Sequence, residues 1–225
     1  MPADLAIVVP VGPNEDRWGL LLRQLSRLDV REIVAVLPTS LLAKQPKPQQ
    51  FNARVHVAFA QAGRARQLNA GAQACTAKWI WFLHADSALT KRVGAALTTH
   101  LCRDEDALGY FDLRFLRDGP ALMLLNRFGA WIRSRWFDLP FGDQGFVVSR
   151  SLFDRLQGFD TSLAFGEDHD FIWRARSAGA RIVPVGAPLY TSARKYAANG
   201  WWHTTARHVR ATWEQAREFS GRARV

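Results

Sequence analysis

The chain has 225 residues, 48% of them apolar and 22% charged, which suits one substantial core with at most a small appendage and excludes a disordered or fibrous chain. Lys+Arg 30 against Asp+Glu 20 gives a formal charge of +10, which favours anionic partners: phosphorylated substrates, anionic lipid or nucleic acid. The two cysteines, Cys75 and Cys102, form no zinc-type spacing and point to a reducing compartment; with no basic, apolar leader at the N-terminus, a cytoplasmic location is expected.

Leu5–Pro10 is a β-branched apolar run and predicts a first buried strand. Val11–Asp16 is a loop. Asp16 is positioned to cap a helix through about Leu28, with Leu20, Leu21, Leu25 and Leu28 on one face. Glu32–Leu37 and Val55–Ala60 predict two more strands, separated by a polar, proline-containing loop at Pro38–Gln50. In Gln61–Thr76, Gly63 marks a turn into a helix. Ala70 and Ala74 are small enough to bring that helix close to a sheet. Gly63, Arg64 and Arg66 at its start suit either an anion or a solvated basic turn.

Trp79–Leu83 follows, apolar on both faces, as a central strand covered by helices on both sides would be. It runs into His84, Ala85 and Asp86. Ligands of open α/β sheets sit beyond the carboxyl ends of the strands, so Asp86 is placed either to hold a divalent cation or to cap the next helix. Lys91–Leu101 predicts a helix and Ala107–Phe115 a strand. The strand and helix alternation predicts a doubly wound, mainly parallel α/β sheet.

Gly119–Trp136 is helical by period, with a stripe of Ala121, Leu125, Phe128 and Ile132 flanked by Leu124 and Trp131. The stripe suits a core-facing helix, and also a helix lying on a membrane surface. Its apolar stretch, Ala121–Ile132, is interrupted by Asn126 and Arg127 and is too short to span a bilayer. Leu139–Gly145 is a turn-rich loop, Phe146–Ser149 a short strand, Leu152–Leu156 a short helix, and Thr161–Gly166 a loop. Glu167–Ala178 predicts a helix with Phe171, Ala175 and Ala178 on one face, and Ile182–Val185 a strand. These elements fill a domain over residues 1–188. Residues 189–225 form a basic extension, in which seven Lys/Arg from Tyr190 onward outnumber two Asp/Glu.

Three acidic groups stand where chemistry is plausible by position: Asn14–Glu15–Asp16, Asp86, and Glu167–Asp168 at a helix start. The first two converge if the first strand and the Trp79–Leu83 strand are neighbours. Glu167 and Asp168 complement the helix dipole, and equally supply a general base kept ionised by it. No G-x-S-x-G, Walker loop or G-x-G-x-x-G occurs, and no nucleic-acid motif accompanies the basic tail, so no nucleic-acid partner is expected.

An ordered set of short motifs runs through the chain: Gly63–Gly71 (GRARQLNAG), Phe82–Asp86 (FLHAD), Gly142–Gly145 (GDQG), Glu167–Asp168 (ED), Thr191–Arg194 (TSAR) and Gly200–Trp202 (GWW). With them the chain resembles the family 2 glycosyltransferases of GT-A fold, and more narrowly a compact subgroup with the same motif order. The resemblance implies a Rossmann-like sheet with helices on both faces. It implies transfer of a sugar from a nucleotide-diphosphate donor to an acceptor hydroxyl, usually with inversion, assisted by Mg²⁺ or Mn²⁺. It places Asp86 as the metal ligand, with His84 where the family has the first aspartate of D-x-D. Pro10, Asn14, Glu15, Arg64, Arg66, Asn69, His84, Arg194 and Lys195 fall on the donor side. Asp143, Gln144, Trp201 and Trp202 fall on the acceptor side, and Asp168, or second to it Glu167, is the acceptor base.

One departure stands out. The family has an acidic DGSTD-like segment after the second strand, and here Val34–Ser40 reads VAVLPTS with no carboxylate. A noncatalytic nucleotide-binding or membrane-surface protein of the same fold, and a nucleotidyltransferase, are the rival readings. The basic surface suits a lipid-linked or membrane-proximal acceptor and a peripheral position at the inner membrane surface. A peptide or small metabolite fits it as well.

Overall fold

The computed structural model describes residues 3–44, 54–102, 106–207 and 210. Its strands form an eight-stranded sheet: β1 (Ala3–Pro10), β2 (Val30–Pro38), β3 (Val55–Ala60), β4 (Trp79–Phe82), β5 (Ala88–Leu89), β6 (Ala107–Phe115), β7 (Phe146–Ser149) and β8 (Arg181–Thr191), in the order β3-β2-β1-β4-β7-β6-β8-β5. The first four in that order are parallel, and so are β6 and β8. β7 runs against both β4 and β6, and β5 against β8, so parallel pairing governs the half of the sheet that binds β1 and gives way beyond β4.

β4 behaves as its composition requires. Trp79 and Trp81 enter one core with Ile7, Leu21, Leu25 and Leu97, while Ile80 and Phe82 enter the other with Val8, Leu68 and Phe171. Helices α1 (Trp18–Leu25) and α3 (Val93–Leu101) contribute to the first. Helices α2 (Arg64–Gln73), α5 (Arg150–Arg155) and α6 (Glu167–Ser177) contribute to the second. Each core excludes water from one face of the strand, which is what holds a two-faced apolar strand in place.

Several sequence expectations change here. Asp16 does not cap α1: the helix starts two residues later, Arg17 precedes it without a side-chain cap, and Asp16 reaches Arg194 instead at 3.3 Å. Leu21, Leu22 and Leu25 are buried, Leu20 is exposed, and Leu28 packs from beyond the helix end. In α2 the close approach belongs to Gly71 rather than to Ala70 or Ala74. A Cβ at Gly71 would lie 2.3 Å from Val8 Cγ1 and 2.9 Å from Val36 Cγ2, whereas Ala74 is exposed. In α6 it is Phe171, Ile172 and Ala175 that are buried, and Ala178 is an exposed cap.

Helix α4 (Met123–Trp136) reverses the core-facing expectation. Met123, Ala130 and Ser134 face inward, and the stripe carrying Leu125 and Phe128 faces outward, because the small and polar residues are the ones that fit against β6. The strand read at Ile182–Val185 extends to Thr191, past the expected domain boundary at residue 188, because Leu189 and Tyr190 pair with β5 and with β6. Beyond it come α7 (Arg194–Asn199) and a helix over 201–207. Most of the expected arginine-rich C-terminal helix, and residues 45–53 of the loop read at Pro38–Gln50, lie outside the described residues.

Candidate active site

β1 is the strand at which the sheet order turns: β2 and β3 lie on one side of it and β4 on the other. The parallel β1–β4 pairing brings the loops after Pro10 and Phe82 together, as expected if the Glu15 and Asp86 groups were to converge. Between them opens a cleft of about 550 Å³, lined by Pro10, Asn14, Glu15, Arg64, His84, Asp86, Arg194 and Lys195, with Gly12, Pro13, Gln67 and Ser192 completing the wall. This is the crevice outside the carboxyl ends of the strands where α/β sheets take ligands.

Each wall has a local cause. Gln67, buried in α2, donates from Nε2 to the carbonyls of Val11 (2.9 Å) and Val36 (2.8 Å), fixing the ends of β1 and β2. Glu15 accepts the Arg17 N–H at 2.9 Å and pairs with Arg194 at 3.1 Å, joining the loop after β1 to α7. Asp118 accepts from Arg17 (2.8 Å), from the Ser192 hydroxyl (2.7 Å) and from the Ala193 N–H (2.8 Å), so it fixes the turn between β8 and α7. Neither Gln67 nor Asp118 was singled out from sequence. Gln67 lies inside GRARQLNAG and so had a signal; Asp118 lies in the turn-marking run Arg117–Pro120 (RDGP), which signals a turn and nothing of the site.

Asp86 is part-buried. Burial pushes its carboxyl up, Glu15 adds to that, and Lys195 and Arg194 draw it down, with a net rise. A carboxylate held this way is short of positive charge, and a divalent cation would supply it. Thr191 Oγ1 lies 3.4 Å from one of its oxygens. Mg²⁺ and Mn²⁺ need only one or two protein carboxylates when phosphate oxygens and water complete the shell, so a single aspartate beside Glu15 fits. Among the described residues, no group of three or more His, Cys, Asp or Glu side chains forms a closed metal cage. His84 Nε2 is sealed from solvent without a hydrogen-bond partner. Burial, with Arg64 and Lys195 nearby, holds its pKa well below the usual value against the pull of Asp168, so the imidazole is neutral.

Arg64 and His84 also line a small adjoining pocket with Gly142 and Asp168. Asp168 accepts the Gly142 N–H at 2.7 Å and its neighbour's N–H, from His169, at 3.0 Å. Burial alone would raise its pKa, but His169, Arg64 and the Gly142 N–H outweigh it and bring it to about 2. A Cβ at Gly142 would stand 2.6 Å from an Arg64 guanidinium nitrogen and 3.0 Å from Asp168 Oδ2, so a side chain there would push the arginine away from Asp168. Glu167 is different. It is 5% exposed, lies 3.2 Å from Arg64 Nε, and is raised by burial despite that arginine.

The start of α6 is held from behind. Asn69 of α2 exchanges two hydrogen bonds with the Phe159 backbone, at 2.8 and 2.9 Å. Phe159 stacks on Phe171 of α6 (4.5 Å) and meets Phe82 of β4 edge-on (5.0 Å).

The sequence matches no family model and no curated protein. Among solved structures, the backbone is similar to the mannosyltransferase PcManGT of Pyrobaculum calidifontis, in complex with GDP-Man and Mn²⁺: TM-score 0.68, 16% identity, over 97% of this chain and 66% of that one. It is similar also to S. aureus TarS 1–349 in complex with UDP-GlcNAc (TM-score 0.63, 17% identity, 84% of this chain and 58% of that one) and with UDP (TM-score 0.60, 18% identity, 84% and 60%). The chain thus spans about two thirds or less of the length of these proteins. The fold is GT-A-like.

On this GT-A-like frame, the expected donor-side residues Pro10, Asn14, Glu15, Arg64, His84, Arg194 and Lys195 share one cleft with Asp86. Arg66 does not join them; it is exposed on the outer side of α2. Asn69 is committed to Phe159 and is a clamp rather than a donor contact. Gln144 is 1% exposed, and its amide is used up by Phe111 O, Ser134 Oγ and the Phe141 N–H, so it supports the loop and meets no acceptor. Asp143 lies beside Arg133 with one oxygen sealed and unpartnered. Trp201 donates to Asn126 of α4 at 2.6 Å, and Trp202 is exposed beside it; neither lines the cleft.

Proposed function

We propose that this chain transfers a sugar from a nucleoside-diphosphate donor to an acceptor hydroxyl, with Asp86 as the metal-binding carboxylate and Asp168 as the acceptor base. The observation that carries the reading is the continuity of two sites through His84 and Arg64. A cleft with one underneutralised carboxylate and the cations Arg64, Arg194 and Lys195 adjoins a pocket that keeps Asp168 ionised. Support comes from the GT-A-like fold, and from two similar structures that hold GDP-Man with Mn²⁺ and UDP-GlcNAc.

In this reading Arg64, Arg194 and Lys195 neutralise the diphosphate, each guanidinium or ammonium meeting phosphate oxygens directly. Mg²⁺ or Mn²⁺, when bound at Asp86, offsets charge on the departing diphosphate. Neutral His84 forms part of the wall shared by the cleft and the adjoining pocket, where it brings no charge to compete with the arginines. Asp168 takes the proton of the acceptor hydroxyl as that oxygen attacks the anomeric carbon from the face opposite the diphosphate, which inverts the centre. Glu167 is the weaker candidate, because Arg64 and burial occupy it. The residues after β2 bring no carboxylate to the cleft, so the nucleobase is held without one. A lipid-linked acceptor suits the basic surface.

Titration calorimetry with a panel of nucleoside diphosphates, with and without Mn²⁺, tests the reading. Metal-dependent binding of at least one is expected; Asp86→Ala abolishes it, and Asp168→Asn keeps binding while removing turnover. If no nucleoside diphosphate binds in either condition, the transferase reading is wrong. Metal-dependent binding without turnover on any acceptor favours the noncatalytic binder instead.

A further inference from the structure

Helix α4 turns a continuous apolar face to solvent. Leu124 (67% exposed), Leu125, Phe128 (60%), Trp131 and Trp136 are all exposed. At 100° per residue they fall, with Ile132, in a single arc of about 140°. The only charge in that arc, Arg135, is neutralised by Asp112 at 3.0 Å. A contiguous apolar patch of this kind on a folded domain marks an interaction surface. The helix is 14 residues long, and among the described residues no helix is long and apolar enough to cross a membrane.

The foot of the same helix is cationic. Two shallow clefts, of about 540 and 500 Å³, open between α4 and β6, and both are lined by Arg114, Leu124 and Arg127, with Arg117 in the larger. These three arginines carry no ion pair among the described residues. The surface is therefore a convex apolar ridge with unneutralised guanidinium forks along its base. An anionic bilayer matches both parts: the ridge reaches the boundary between headgroups and acyl chains while the forks take lipid phosphates.

We propose that α4 docks this protein on anionic lipid surfaces, with Leu124, Leu125, Phe128 and Trp131 entering the bilayer interface and Arg114, Arg117 and Arg127 binding headgroup phosphates. The helix is tied to the candidate active site. Arg133 on its inner side lies over Phe141 at 3.0 Å, and Arg176 of α6 donates to the Phe137 carbonyl at 3.0 Å. Docking thus holds the end of α6 that follows Asp168 beside the membrane. Binding to lipid needs no nucleotide, so this inference stands or falls independently of sugar transfer.

Vesicle flotation of the full chain tests it, using phosphatidylcholine alone and phosphatidylcholine mixed equally with phosphatidylglycerol. The chain floats with the anionic vesicles, and added salt weakens the binding. Leu124→Glu with Phe128→Glu lowers the affinity about ten-fold or more, and Arg114→Ala with Arg127→Ala does so by a similar factor on anionic vesicles only. Circular dichroism melts check folding, and Leu124→Ser with Phe128→Ser replaces the glutamates if they unfold the chain. Metal-dependent nucleotide binding by the same samples separates this result from the outcome for the donor cleft. Absence of flotation, unchanged flotation of the double variants, or a solution dimer that the glutamates dissolve would each overturn the proposal. The last result would assign the ridge to a second copy of the chain.

Discussion

Asp143 sits in the short turn Gly142–Gln144, Asp168 of α6 accepts an N–H from that turn, and the two are driven in opposite directions. Asp168 accepts two backbone N–H groups and is held near a pKa of about 2, whereas Asp143 is pushed up to about 6 by burial, with Arg133 pulling down and Asp168 pushing up. The consequences for stability have opposite signs. Asp168 contributes stability that is present above the unfolded-state pKa and is lost as pH falls towards 2. Asp143 binds its proton more readily when folded, so its contribution is greatest below about pH 4 and declines as pH rises through about 6. Asp143→Asn should therefore remove a fall in melting temperature between those limits. It should leave the variant about 5–10 °C more stable than the native chain at pH 8, read from melts across pH. A variant with an unchanged profile would show that Asp143 is not a strained carboxylate. The sequence made both aspartates visible as acids in GDQG and ED; their environments depend on Arg133, Arg64 and Gly142, which arrive from three separate segments.

At the scale of elements, contact distances decide what periodicity leaves open. Gly71→Ala puts a methyl against the branched, buried Val8, which cannot swing aside, so the chain should lose about 1–3 kcal/mol in urea denaturation. Ala70→Ser, on the half-buried side of the same helix, should lose much less. Asp118→Ala releases the two donors of the β8–α7 turn, Ser192 and Ala193, together with Arg17 beside α1, and that turn leads into Arg194 and Lys195. Weaker donor binding, by about ten-fold, is expected with the metal requirement intact, and calorimetry reads both. Helix α4 shows the limit of pattern reading. Its period correctly predicts an amphipathic helix, but period alone cannot say which side a neighbour covers. Here Tyr110, through its bond to the Ser134 carbonyl at 2.9 Å, and Gln144 select the side bearing Ser134 and Ala130.

For the molecule as a whole, ligand binding and stability are linked. A nucleoside diphosphate with Mn²⁺ at about a hundred times its dissociation constant should stabilise the folded chain by about 2.7 kcal/mol. That corresponds to a melting rise of about 5–10 °C, absent in Asp86→Ala and smaller at high salt, where the attraction of a +10 chain for a diphosphate is screened. The architecture was legible where neighbours in sequence are neighbours in space. LAIVVP, VAVL and WIWF are buried strands, and β1, β2 and β3 pair in chain order. It was not legible beyond β4. The four residues of β7 pair antiparallel with β4 across about sixty residues of intervening chain, a direction that no local pattern records.

Helix α2 fixes a length within the site. Arg64 faces the cleft, Gln67 bolts the ends of β1 and β2, and Asn69 grips the segment leading to α6. The three lie on one rigid rod, with Arg64 and Asn69 about 7.5 Å apart along its axis. α2 is thus a gauge block between the two halves of the site. The separation is set by counting residues, and adding or removing one would swing everything beyond it through about 100°. Insertions belong in the surrounding loops; inside this helix, a single residue is enough to put the two halves out of phase.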